Sequence, residues 1–206
     1  MRVQWLQRRG GSALKLVFGG WALGPGPFAD LVGEADVLFV DDYRNLETPI
    51  AACDDYDELR LFAFSFGVAA AAHWMARTGT QVSRRVALSG TLYPAERARG
   101  IAPETVRATA EGLTTQSFAK FCTRAGLRGP APEIDLTAAR DELLAVIARG
   151  PAPETRFDRI WIPERDRIIP TAAQECAWQG QTEAVRRVSG PHLPVKAGET
   201  WDRWLS

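Results

Sequence analysis

Histidine and cysteine are scarce in this 206-residue chain, which holds two of the first and three of the second. Cys53, Cys122 and Cys176 stand far apart and form no Cys-x-x-Cys pair. That spacing excludes a zinc knuckle and a disulfide framework, and it fits a reducing compartment. No metal and no cofactor is called for. Net charge is lacking as well, since twenty-five basic residues balance twenty-five acidic ones. The total therefore gives no argument for nucleic acid or an anionic membrane as partner. The most apolar stretch, Leu59–Ala76, falls short of the roughly 20 residues a membrane span requires, and it contains Gly67 and His73. The opening MRVQWLQRRGG has no apolar core of the kind a signal peptide needs. The expectation is a cytoplasmic protein and a monomer.

The balance hides two local excesses. Between Asp41 and Glu58 seven acids (Asp41, Asp42, Glu47, Asp54, Asp55, Asp57, Glu58) face one base, Arg44. Between Arg97 and Arg128 six bases (Arg97, Arg99, Arg107, Lys120, Arg124, Arg128) face Glu104 and Glu111. Solvated surface is the simplest reading of each run.

What the chain does have is a series of short apolar runs separated by turn residues. Ala13–Trp21, Ala35–Tyr43, Leu59–Ser65, Arg84–Thr91, Phe157–Asp166 and Ala184–Gly190 read as strands, with VQWLQR near the start as an edge strand. The runs are unbroken rather than alternating, as in a parallel sheet covered on both faces. Helices are expected at Phe66–Arg77, Thr171–Gln179 and Glu199–Leu205, while Arg44–Glu58 reads as a loop or single turn. Strand–helix alternation makes the class α/β. Residues 92–150 differ: they hold prolines and the amphipathic stretches PETVRATAEGL, SFAKFCTRAGL and TAARDELLAVIARG, with no strand-like run. They read as a helical insertion between a core of 1–91 and one of 151–206.

One hydroxyl interrupts the apolar run LRLFAFSFGVAAAAHWMA, that of Ser65. A serine between a buried strand and a helix, with small residues two before and two after, has the form of a nucleophile elbow. Here those residues are Ala63 and Gly67, so AFSFG lacks the first glycine of G-x-S-x-G. Read locally, a buried serine bonding back to the strand or helix end is the better account of it. An elbow serine needs a base. His73 lies two helical turns further on and cannot fold back onto the hydroxyl, so it reads as a packing residue. His192, in the Gly-Pro loop after the last strand, stands where the chain order Ser, acid, His places the base. Asp166, just past the strand IWIP, supplies the acid, with Glu164 as runner-up in the same loop. Such a site also needs donors for a developing oxyanion. FGGWAL, at the end of the first strand run, offers the Trp21 amide to join that of Phe66.

With these residues assembled, the chain resembles the pimeloyl-[acyl-carrier protein] methyl ester esterases of biotin synthesis, of the BioG type. The likeness runs through FGGWAL, FAFSFGV, LSGTLYP with GIAPETV, DRIIP and the closing GPHLPV and WDRWL. The resemblance implies an α/β-hydrolase fold, a mostly parallel sheet with reduced flanking helices, and a helical lid at 92–150. It implies cleavage of a methyl ester on a pimeloyl chain carried by acyl carrier protein. Ser65, His192 and Asp166 would take the triad roles, and Trp21 and Phe66 the oxyanion amides. Because the carrier is acidic, the basic run becomes a candidate docking surface through Arg124, Arg128 and Arg107. Two other readings stand beside it: a carboxylesterase or acyl thioesterase with no carrier partner, and a hydrolase-fold protein that only binds a ligand.

Overall fold

The structure, a computed structural model, describes residues 1–206. Seven strands form one sheet: β1 (Arg2–Gln7), β2 (Ala13–Phe18), β3 (Asp36–Asp41), β4 (Glu58–Phe64), β5 (Arg84–Leu88), β6 (Arg159–Pro163) and β7 (Val185–Val188). Their spatial order is β1-β3-β2-β4-β5-β6-β7, parallel throughout except for β1, which runs antiparallel to β3 at the edge. The unbroken apolar runs have the expected cause. Successive side chains of a strand point to opposite faces, and both faces are covered. In β4, Leu61 and Ala63 join one core while Phe62 and Phe64 join the other.

The first core lies under α2 (Phe66–Thr78), where small residues, Val68 and Ala69–Ala72, let the helix sit close on the sheet. The second gathers aromatic residues, Phe28, Phe39, Phe62, Phe64, Trp201 and Trp204, beneath two short helices, α1 (Gly26–Ala29) and α7 (Trp201–Leu205). Thr200 caps α7 by accepting from the Arg203 amide, so that helix starts two residues later than its sequence pattern implies. The α1 turn was not legible at all. Its Pro25-Gly26-Pro27 reads as loop, yet a proline in the first turn loses no hydrogen bond. Between β3 and β4 only a 3₁₀ turn, Ala51–Asp55, replaces a crossover helix. The strands are shorter than their apolar runs, because the run continues into the turns that leave the sheet. β2 stops at Phe18, before Gly19-Gly20-Trp21, and β6 stops at Pro163, before the loop carrying Asp166.

Residues between β5 and β6 form three helices and no strand: α3 (Pro103–Glu111), α4 (Thr115–Ala125) and α5 (Leu136–Arg149). The insertion is closed at its base, where the Ala152 amide donates to the Leu92 carbonyl at 2.7 Å. Val106, Ala110, Phe118, Leu143 and Val146 bury their side chains in the aromatic core, so these helices roof the C-terminal end of the sheet. Two polar ties add to this: Trp21 Nε1 donates to the Ala139 carbonyl, and Glu142 Oε1 accepts from the Tyr43 amide. After β6 come α6 (Thr171–Ala177) and a 3₁₀ segment, Gln179–Ala184, which return the chain to β7. No helix is long and apolar enough to cross a membrane.

Glu142 makes the attachment of α5 sensitive to pH. Burial pushes its carboxyl up from 4.5 to about 7, and the nearby Asp42 and Asp41 add to the shift while the Tyr43 amide opposes it. The folded chain keeps this proton up to about pH 7, whereas the unfolded chain releases it near 4.5. Stability contributed by Glu142 is therefore full below pH 4.5 and is lost as pH rises to about 7, a loss on the order of 3 kcal/mol. Glu142→Gln keeps the acceptor for Tyr43 and removes the titration. Urea unfolding is expected to show the variant more stable than the parent at pH 8, with the gap closing at pH 5. A gap equal at both pH values would refute this account.

Candidate active site

Ser65 occupies the single residue between β4 and α2, with φ 56° and ψ −127°. A non-glycine residue in that region carries strain of about 1–3 kcal/mol, which the surrounding packing must hold in place. The local reasons are on the page. Ser65 N–H donates to the Leu88 carbonyl of β5, and the Ser65 carbonyl accepts from the Val68 amide as the helix begins. A Cβ on Gly67 would lie 2.4 Å from the carbonyl oxygens of both Phe18 and Gly19. A Cβ on Gly90 would lie 2.3 Å from the Ser65 carbonyl oxygen. The turn is thus wedged between the ends of β2 and β5, and glycine is required where backbone meets backbone. Ala63, at the position where the elbow motif has glycine, is fully buried in the sheet.

His192 and Asp166 arrive on neighbouring loops. The amides of Glu164 and Arg165 donate to the carbonyls of Val188 and Gly190, extending the β6–β7 pairing past both strands. His192 follows and is completely buried. Its Nε2 lies 2.9 Å from Ser65 Oγ and its Nδ1 lies 2.7 Å from Asp166 Oδ2. Asp166 Oδ1 accepts from the amides of Ile168 and Ile169 at 2.8 and 2.9 Å. Its Oδ2 also accepts from Gln174 Nε2 at 2.8 Å. Four donors on one carboxylate keep a buried charge satisfied, which a lone buried carboxylate would not be. Glu164 points elsewhere: it is exposed and is not part of this network.

The Trp21 and Phe66 residues are buried beside Ser65, and neither amide donates to a loop, turn or side-chain acceptor. Phe66 is the first residue of α2, so its N–H has no partner within the helix. Tyr43 O–H bonds the Gly19 carbonyl at 2.7 Å, which steadies the turn leading to Trp21. The other histidine, His73, is half-buried on α2 and has its Nε2 unpaired. Burial lowers its pKa, and it does not reach Ser65.

Ser65 opens into a cavity of about 120 Å³ walled by Trp21, Phe66, Ile101, Val106, Phe121 and Leu143, with Arg124 and Arg167 among its other lining residues. A larger open depression, about 780 Å³, adjoins it and is lined by Lys120, Arg124, Arg165, Arg167 and Pro191. None of those four cations has an ion-pair partner. Of the three bases singled out in sequence, Arg124 lies here. Arg128 lines a different depression beside Leu23 and Pro130, and Arg107 is exposed on α3 away from both. Reading by sequence missed three residues of the site. Arg165 and Arg167 immediately flank Asp166, a charge signal that was available. Gln174 gave none, because a glutamine in a helix is unremarkable until its partner is known.

A family described as pimeloyl-ACP methyl esterase BioG matches residues 1–132. The chain belongs to the BioG family. The matched segment includes Trp21, Ser65 and Phe66, and ends before Asp166 and His192. A Bacteroides fragilis protein named malonyl-[acyl-carrier protein] O-methyltransferase is 28% identical over 193 residues, 88% of this chain. The chain spans 39% of that protein's length. The crystal structure of BioG from Haemophilus influenzae superimposes with a TM-score of 0.88 at 24% identity, covering 100% of both chains. An α/β-hydrolase fold protein from Burkholderia ambifaria superimposes with a TM-score of 0.61 at 17% identity, over 95% of this chain and 89% of its own. The fold is that of the α/β-hydrolases, as the sequence resemblance implied.

Gly67→Ala tests the wedge. The added methyl meets two backbone carbonyls, neither of which can rotate away, so the elbow or β2 must shift. A loss of about 2 kcal/mol or more is expected, seen as a melting temperature lower by roughly 4–8 °C in a chain of this size. A variant melting with the parent would show that the approach is not close.

Proposed function

We propose that this chain is a serine esterase that removes the methyl ester from a pimeloyl chain held by acyl carrier protein, in biotin synthesis. The observation that carries the chemistry is the continuous chain Asp166–His192–Ser65, at 2.7 and 2.9 Å, ending on a strained serine in an apolar cavity. His192 Nε2 takes the Ser65 proton as Oγ attacks the ester carbonyl. Asp166 holds the ring by Nδ1–H and stabilises the imidazolium. The oxyanion is met by the Trp21 and Phe66 amides, which are unpaired and buried. Preorganised donors of this kind are each worth about 10²–10³ in rate. His192 then protonates the leaving methoxide, methanol departs, and water enters by the same route to release the acid. Gln174 keeps the acid in register by bonding the same oxygen that receives His192.

The substrate reading is supported by family membership, and the partner reading by charge. Carrier proteins of this kind are acidic, and the four unpaired cations line the depression, two of them, Arg124 and Arg167, also lining the Ser65 cavity. The helical insertion serves as a lid over that mouth. Docking here uses Arg124 of the lid together with Lys120, and Arg165 and Arg167 of the core loop.

Ser65→Ala is expected to abolish turnover of short p-nitrophenyl esters and labelling by a fluorophosphonate, with an unchanged melting temperature. Residual turnover at the parent rate would remove Ser65 from the mechanism. For the acid, Asp166→Ala should cost about 10³–10⁴ in kcat, while Glu164→Ala should stay near the parent. The reverse ranking would move the role to Glu164. To separate a carrier-specific esterase from a general one, Lys120→Glu with Arg165→Glu is read as a ratio. Turnover of the carrier-linked ester should fall about tenfold or more relative to a short neutral ester, and an unchanged ratio would argue against docking at this surface.

A further inference from the structure

Arg124 and Arg167 differ from the other two cations of the basic depression. Lys120 and Arg165 line only the outer surface, whereas Arg124 and Arg167 also line the small cavity that contains Ser65. They come from different elements, Arg124 from α4 of the lid and Arg167 from the loop that carries Asp166. Neither is paired to a carboxylate, and no aspartate or glutamate lines either cavity. Apart from Thr105 and Thr109, the rest of the wall beside Ser65 is apolar.

A cavity with a nucleophile, an apolar wall and two unpaired guanidiniums is complementary to a molecule with three matching parts. Those parts are an ester carbonyl, a short run of methylenes and an anion. The volume of about 120 Å³ bounds the length of chain that fits beside Ser65. Guanidinium presents planar paired donors that match a carboxylate, and such a charge-assisted contact is about twice as strong as a neutral hydrogen bond. A neutral ester of equal length fills the same wall and leaves both arginines with water alone.

We infer that the Ser65 cavity also accepts free monomethyl esters of short aliphatic dicarboxylic acids, their carboxylate held by Arg124 and Arg167, and hydrolyses them without a carrier protein. The inference rests on the esterase reading above. The chemistry balances within it. Ser65 Oγ forms a bond to the ester carbon and the bond from that carbon to methoxide breaks. The Ser65 proton leaves with methanol through His192, and water splits the acyl-enzyme to give the dicarboxylate and free Ser65. Such a substrate occupies the mouth that the carrier-linked chain must pass, so the two compete.

The test compares kcat/KM for monomethyl esters of the dicarboxylic acids from succinic to suberic with methyl esters of monocarboxylic acids of equal chain length. The acid esters are expected to be favoured about tenfold or more, the value of one charge-assisted hydrogen bond. The gain should lie in KM, fall with added salt, and peak at one chain length. In Arg124→Gln with Arg167→Gln the ratio of acid to neutral ester should fall to near one. Both side chains are exposed and unpaired, so the variant is expected to fold, and its melting curve checks this. A ratio near one in the parent, or a ratio retained in the double variant, overturns the inference. If neutral and carrier-linked esters are hydrolysed while the ratio is one, this inference alone fails. If no ester of any kind is hydrolysed, the esterase reading fails with it.

Discussion

The approach of backbone to backbone at the end of β4 is the constraint on which the rest of the structure depends. Ser65 can hold φ 56° only because α2 starts against the carbonyls of Phe18 and Gly19, and β5 ends against its own carbonyl. Each contact needs a glycine, at 67 and 90, and each fixes the turn relative to a different strand. The sheet therefore acts as the ruler for the site. β2 sets where the Trp21 amide lies, β4 the Ser65 hydroxyl, and β6 and β7 the positions of Asp166 and His192. The strain at Ser65 is small beside the burial of α2, whose alanine face packs directly on the sheet.

The polar half of the site is built on a different principle. His192 and Asp166 are buried together, and burial of a charge is costly unless every lone pair is met. Asp166 meets that requirement locally, through the amides of Ile168 and Ile169, and at longer range through Gln174 and His192. The loop is held shut by its own carboxylate. This explains why its two outer residues, Arg165 and Arg167, can be exposed cations while the residue between them is buried. One tripeptide serves the interior with its middle residue and the surface with its ends.

The helical insertion joins these two halves. Its apolar side completes the aromatic core, Trp21 bonds it through Ala139, and Glu142 meets the Tyr43 amide. Arg149 adds a bond to the Tyr43 carbonyl. Its outer side carries Lys120 and Arg124 to face the core loop across the basic depression. The attached face and the exposed basic face thus lie on opposite sides of the same helices. Glu142 ties attachment to pH through burial, whereas the cations of the outer face have no acid against them.

Much of this could be read from the residues in order. Unbroken apolar runs follow from a sheet covered twice, so the class and five of the seven strands were legible from pattern alone, and the edge and last strands nearly so. The order Ser65, Asp166, His192, each past the end of a strand, is a property of the chain and needs no coordinates. Element ends were less legible, because an apolar residue that leaves a strand into a turn looks the same as one that stays. The α1 turn was hidden in a Pro-Gly-Pro sequence for the same reason. What only the tertiary structure decided is who meets whom. Ser65 and His192 are separated by 127 positions, yet bond at 2.9 Å. Gln174 becomes part of the site only because α6 packs over the Asp166 loop. The basic run of 97–128 splits, with Arg107 and Arg128 turned away and Arg124 paired across space with Arg165 and Arg167. Local pattern determines the elements and the order of their chemistry. Long-range packing determines distances, and at this site the distances are what hydrogen bonds, charge and strain respond to.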